Sequence, residues 1–172
     1  MNGTAHVSVG AALGVVYVST PAHLWTSDVF NSLESFNLKL VLIVACMVGS
    51  LLPDIDHARS LISQRTRPVG WAVRLFTSHR GITHTMSACA VLSLGLMLID
   101  YQLGTAFAIG YISHLVLDML TPHGVPLFAP LSWHRVKLAN GFVLREIKGG
   151  LQHLLSIGSC VYVLVKLLEL YR

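Results

Sequence analysis

Apolar residues gather into five stretches, at about 5–18, 38–52, 84–99, 104–120 and 151–170, and most of the charge falls between them. Each stretch predicts a helix, and together they predict an all-α fold, an integral membrane bundle of four to five short transmembrane helices. A membrane span takes about 20 residues. The last stretch meets that length alone, while the others must recruit flanking residues or sit in locally thinned lipid. The first is expected to be the weakest, an inserted helix that need not cross fully. Pro53 and Pro122 fall at the ends of their runs, where a proline tolerates or enforces a helix stop. No internal repeat or low-complexity segment interrupts the chain, so 1–172 reads as a single membrane-embedded domain.

Composition points the same way. Of the 172 residues, 53% are hydrophobic and 12% charged, with a mean hydropathy of +0.65. A soluble domain spends about a quarter of its residues on charge, so this chain offers little surface to water and its natural solvent is lipid. The net charge of +4 comes from 12 scattered basic residues. Without a continuous basic run, nucleic acid is not an expected partner. Cys46, Cys89 and Cys160 each lie inside an apolar stretch without paired spacing, which argues against a disulfide framework or a cysteine-bound zinc and for helix packing. No Lys or Arg precedes the first apolar stretch, so a cleaved signal peptide is not expected.

The scattered charges orient the bundle. Segment 53–83 carries Arg59, Arg65, Arg67, Arg74 and Arg80, and segment 121–150 carries Arg135, Lys137, Arg145 and Lys148. Segments 21–37 and 100–103 carry no basic residue. The positive-inside rule then places both Arg-rich segments in the cytoplasm, with the amino terminus inside and the carboxyl terminus outside if all five stretches cross.

Three polar constellations interrupt this pattern. Pro53-Asp54-Ile55-Asp56-His57 sets two carboxylates and an imidazole at the end of the second stretch, the donors a divalent cation needs. His79-Arg80-Gly81-Ile82-Thr83-His84 leads into the third. Gly81 permits a sharp turn that lets His79 and His84 face one pocket, and Arg80 between them suits an anionic oxygen. Ser113-His114-Leu115-Val116-Leu117-Asp118 lies inside the fourth. Its i, i+4 spacing puts His114 and Asp118 on one helix face, and ionisable residues in an apolar helix are costly unless partnered. The orientation above brings all three to the cytoplasmic side, and His6 enters there too when the first stretch crosses. His123, one turn past Asp118, is a further candidate ligand, whereas His134 reads as a membrane-interface residue.

With Gly49-Ser50-Leu51-Leu52 before Pro53, and Gly110-Tyr111-Ile112 before Ser113 running on through Met119-Leu120-Thr121-Pro122-His123-Gly124-Val125-Pro126, these motifs resemble those of one family. It is the LexA-regulated, membrane-bound, metal-dependent hydrolases, the YdjM-like inner-membrane proteins of bacteria and archaea. The likeness runs from His6 to about Pro130. It implies a multi-pass protein of the cytoplasmic (inner) membrane that depends on a divalent metal, and the mixed imidazole and carboxylate donors favour Zn²⁺ first, then Mn²⁺ or Fe²⁺. A link to the DNA-damage response is implied by the family name alone. The spacing of His114 and Asp118 is also similar to that of zinc-dependent phospholipases C, which suggests a phosphoester or phospholipid headgroup as substrate and membrane lipid as partner.

The expected centre holds one or two metals on His6, Asp54, Asp56, His57, His79, His84, His114 and Asp118. Asp118 or Asp56 would act as bridging carboxylate or base, and Arg80 would steady developing negative charge. Two other classes fit the same residues. A transporter would use intramembrane His and Asp as an ion path, and a non-catalytic protein would use a closed metal staple to tie short helices together.

Overall fold

All five apolar stretches become helices in the computed structural model, which describes residues 3–19, 35–57, 60–66, 68, 71, 81–138 and 150–171. The helices are α1 (Gly3–Ser19), α2 (Ser35–Leu51), α3 (Leu61–Arg65), α4 (Met86–Met97), α5 (Tyr101–Met119) and α6 (Gly150–Tyr171). The fold is all-α.

Boundaries depart from the apolar pattern where local chemistry overrides it. α2 does not stop at 52 but tightens into a 3₁₀ turn, Leu52–Asp56, with Pro53 in its first turn. Proline has no N–H to continue the α-helical ladder, so the chain swings and turns Asp54 and Asp56 off the helix axis. The third stretch was expected to be helical from 84. Instead Ile82–His84 forms its own 3₁₀ turn, and Thr85 adopts an extended backbone. The Thr85 hydroxyl accepts from Ala88 N–H at 3.1 Å and starts α4, a cap typically worth about 1 kcal/mol. Asp100 caps α5 in the same way, its Oδ1 accepting from Leu103 N–H at 2.8 Å. α3 is an addition within the first Arg-rich segment, and its signal was Ser60, whose hydroxyl caps Ser63 N–H.

α2 packs between α1 and α5, α1 also meets α5 and α6, and α4 lies on α5. Small residues set these crossings. A Cβ on Gly110 would stand 1.9 Å from the Cys46 carbonyl oxygen, and one on Gly10 would stand 2.3 Å from Ser50 Oγ. The backbones of α5 and α2, and of α2 and α1, therefore approach closely enough for dispersion to hold them. Beyond those contacts Val15, Val18, Leu42, Ile43 and Ala106 form an apolar core, and Cys89, Phe107, Tyr111 and Leu115 form a second between α4 and α5. Cys46 and Cys89 are packed as expected, but Cys160 is exposed on α6.

After α5 the chain folds back through a bridge between Val125 and Val136. Met86 N–H donates to the Leu127 carbonyl at 2.9 Å, and the Ser87 hydroxyl donates to that of Ala129 at 2.7 Å. These bonds tie segment 120–138 to the start of α4.

Apolar side chains also face outward, among them Val91, Leu94 and Leu98 near α4 and Leu154, Ile157, Val161, Leu164 and Leu168 on α6. Among the described residues one segment, Asn37–Asp56, is long and apolar enough to cross a membrane, with 20 residues and a mean hydropathy of 2.0. α1 and α4 are apolar but shorter.

Candidate metal centre

Chain direction decides which ends meet. α2 and α5 finish, and α1 and α4 begin, at one end of the bundle. His6 stands in the first turn of α1, Asp54 and Asp56 in the turn that ends α2, His84 in the turn ahead of α4, and His114 and Asp118 in the last turns of α5. His6, Asp56, His84, His114 and Asp118 are buried. Asp54 alone keeps an opening, with 14% of its side chain exposed.

The donors converge. His84 Nε2 lies 3.8 Å from Asp54 Oδ1 and 3.8 Å from Asp118 Oδ2. His114 Nε2 lies 3.8 Å from Asp54 Oδ1 and 4.0 Å from Asp118 Oδ2. His6 Nε2 lies 3.4 Å from the other oxygen of Asp118, and its ring stacks on His114 with centroids 3.9 Å apart. Two groups, His6–Asp54–His114 and His84–His114–Asp118, keep their ligand atoms within 4.8 Å of one another.

Three observations test whether a cation fits. His114 Nδ1 is 2.7 Å from the Ser50 carbonyl oxygen. A carbonyl only accepts, so Nδ1 carries the proton and Nε2 presents its lone pair to the pocket. The Nε2 atoms of His84 and His114 are 3.4 Å apart, long for a hydrogen bond but close to the roughly 3.3 Å between two imidazole nitrogens on one tetrahedral ion. Both ring nitrogens of His6 are buried and have no hydrogen-bond partner among the described residues, a loss of about 1–3 kcal/mol that a ligand would remove. The donor set fits a divalent cation.

Charge supports the same reading. Several carboxylates held out of water against neutral imidazoles are costly without a compensating cation. His84, in the turn outside the helices, shows the effect. Burial pushes its pKa down, but Asp54, Asp56 and Asp118 outweigh burial and hold it above the ordinary imidazole value.

Not every candidate joins the cluster. The His57 side chain is exposed at the end of the turn that carries Asp54, and His123, His134 and His153 are exposed as well. His79 and Arg80 lie outside the described residues. Asp56 is inside the cluster but on the far side of His84, its Oδ2 3.5 Å from Nδ1 and not facing Nε2. Sequence reasoning missed Ser50, Thr83 and Tyr111, which support the ligands. All three lie within the segments 49–57, 79–84 and 110–126, but as polar or aromatic neighbours of the ligands they carry no signal of their own.

A family described as YdjM inner membrane protein matches residues 1–170. The chain is 34% identical to the inner membrane protein YdjM of Escherichia coli (strain K12) over 99 residues, which cover 54% of this chain and 50% of that protein. The same figures hold for inner membrane protein YdjM of Shigella flexneri, so the chain spans about half the length of these relatives. It is 30% identical to protein YvsG of Bacillus subtilis (strain 168) over 122 residues, 67% of this chain and 73% of that protein. No solved structure matches it.

Proposed function

The chain belongs to the YdjM inner membrane protein family, and from that membership and the buried cluster we propose a multi-pass, metal-dependent hydrolase of the inner membrane. It acts on phosphoester headgroups at the cytoplasmic face. The observation that carries this reading is the meeting of His6, His84 and His114 with Asp54 and Asp118 in one pocket. The reading further takes α1, α2, α4, α5 and α6 as the membrane helices. Both Arg-rich segments leave the bundle at the end that holds the cluster, which supports a cytoplasmic site. The apolar outer faces of α4 and α6 support a lipid surround.

Mixed imidazole and carboxylate donors favour Zn²⁺, with Mn²⁺ or Fe²⁺ next. Such an ion supplies Lewis acidity and a bound water acidic enough to ionise near neutral pH. His6, His84, His114 and Asp118 are the holding residues, because they are closed in on all sides. Asp54 faces the opening, which suits it to hold the proton released at the attacking water. Arg80 is assigned to the anionic oxygen of the substrate. An apolar groove of about 400 Å³, lined by Val9, Leu13, Ile109, Ile112, Val116 and Leu117, runs along the two helices that carry His6 and His114 and suits an acyl chain.

The test is hydrolysis of a phospholipid and phosphoester panel by zinc-loaded protein in lipid nanodiscs, compared with Asp54→Asn. We expect products from the unaltered protein and a loss of about 100-fold or more in the variant, the usual span for a general base. Equal product traces would overturn the catalytic reading.

A further inference from the structure

We infer that Thr83 and Asp56 are positioning residues: together they set the tautomer of His84 and so aim its Nε2 into the centre. The inference rests on the metal-site reading above and assigns Asp56 a place outside the ligand set.

The Thr83 hydroxyl donates to Asp56 Oδ2 at 2.7 Å, and the carboxylate can only accept. A hydroxyl has one proton, and here it is committed to Asp56. At its 3.2 Å contact with His84 Nδ1 the Thr83 oxygen must therefore accept, so Nδ1 carries the proton. The direct approach of Asp56 to Nδ1 is 3.5 Å, beyond normal hydrogen-bond range. The carboxylate therefore acts through the threonine, in the order His84 Nδ1–H, Thr83 O–H, Asp56.

With Nδ1 protonated, the nitrogen left to bind is Nε2, the one that faces His114, Asp54 and Asp118. The Ser50 carbonyl does the same for His114 by accepting from its Nδ1–H. Both imidazoles thus present the same kind of nitrogen to one point. The relay is also held in place, because the Tyr111 hydroxyl donates to the Thr83 carbonyl and fixes the turn against α5. Outer partners of this kind usually contribute 10–100-fold to metal affinity.

The test uses full-length protein in nanodiscs loaded with Co²⁺, whose visible absorption reports coordination. Thr83→Val should weaken Co²⁺ binding by about 10–100-fold and change the spectrum, while Thr83→Ser, which keeps the hydroxyl, should restore both. Asp56→Asn should weaken binding to a similar degree, and the double variant should be little worse than either single one, because one relay is broken in all three. Unfolding of the metal-free proteins is measured in parallel, and similar midpoints are expected. Thr83→Val binding as tightly as the unaltered protein would overturn the relay while leaving the metal centre standing. Additive losses in the double variant would instead make Asp56 a ligand. No stoichiometric Co²⁺ on the unaltered protein would remove the centre and the relay together.

Discussion

The two ends of the same three helices are built on opposite terms. Toward one end of α1, α2 and α5, Val15, Val18, Leu42, Ile43 and Ala106 meet as an apolar core. At the other, the same helices and their turns bring together His6, Ser50, Asp54, His114 and Asp118. The apolar end is held by close packing and needs no particular partner. The polar end is held by directed bonds, and each group there is costly unless its counterpart is in place. Gly10 and Gly110 lie between the two ends. They let the backbones approach closely enough for packing at one end to fix the donors at the other. Rigidity comes from the apolar half and chemistry from the polar half.

Gly110→Ala should break this division most severely. The added Cβ would press on the Cys46 carbonyl, separating α2 from α5. A loss of about 3 kcal/mol is expected, the upper range for overpacking, read as a lower unfolding midpoint in detergent together with weaker metal binding. Unchanged stability would mean that the glycine does not set the crossing.

A change of pH should separate the two ends. In metal-free protein the pKa of His84 is raised above its unfolded value. Its stabilising contribution is therefore full below the unfolded value and disappears as pH rises through the raised one. Metal binding has the opposite dependence, because the cation must displace that proton. From about pH 8 to about pH 6, affinity should fall by up to about tenfold per unit for each proton displaced, while metal-free protein gains stability. Calorimetric titration across that range checks the sign, and affinity that rises on acidification would contradict it.

The smallest effect is expected from His57→Ala. Its side chain is exposed next to the ligand-bearing turn, so metal affinity should move by less than about twofold, within the range of ordinary surface changes. A tenfold loss would return His57 to the ligand set.

Much of this was legible in the sequence, for reasons specific to each part. The helices were legible because long apolar runs have few other uses, and the His114–Asp118 pair because a period of 3.6 puts i and i+4 on one face. The convergence of motifs from four elements followed from alternating chain direction and from the placement of arginines. What escaped were local events. Pro53 and Thr85 each convert a helix end into a turn, and those turns decide that Asp54 faces the pocket, that Asp56 lies behind His84 and that His57 faces out. Three acidic or imidazole residues within four positions are equivalent by composition, and only the turn geometry tells them apart. Thr83 and Ser50 were illegible for a related reason: their role is a hydrogen bond to a partner far along the chain, and no spacing announces it.

The central claim is that the polar end is a metal centre, and metal analysis of the purified full chain tests it most directly. The account predicts about one or two first-row divalent ions per chain, absent from the His114→Ala plus Asp118→Ala variant even when that variant is folded. A clean, folded, unaltered protein with no such ion, or a variant that keeps it in full, would contradict the account.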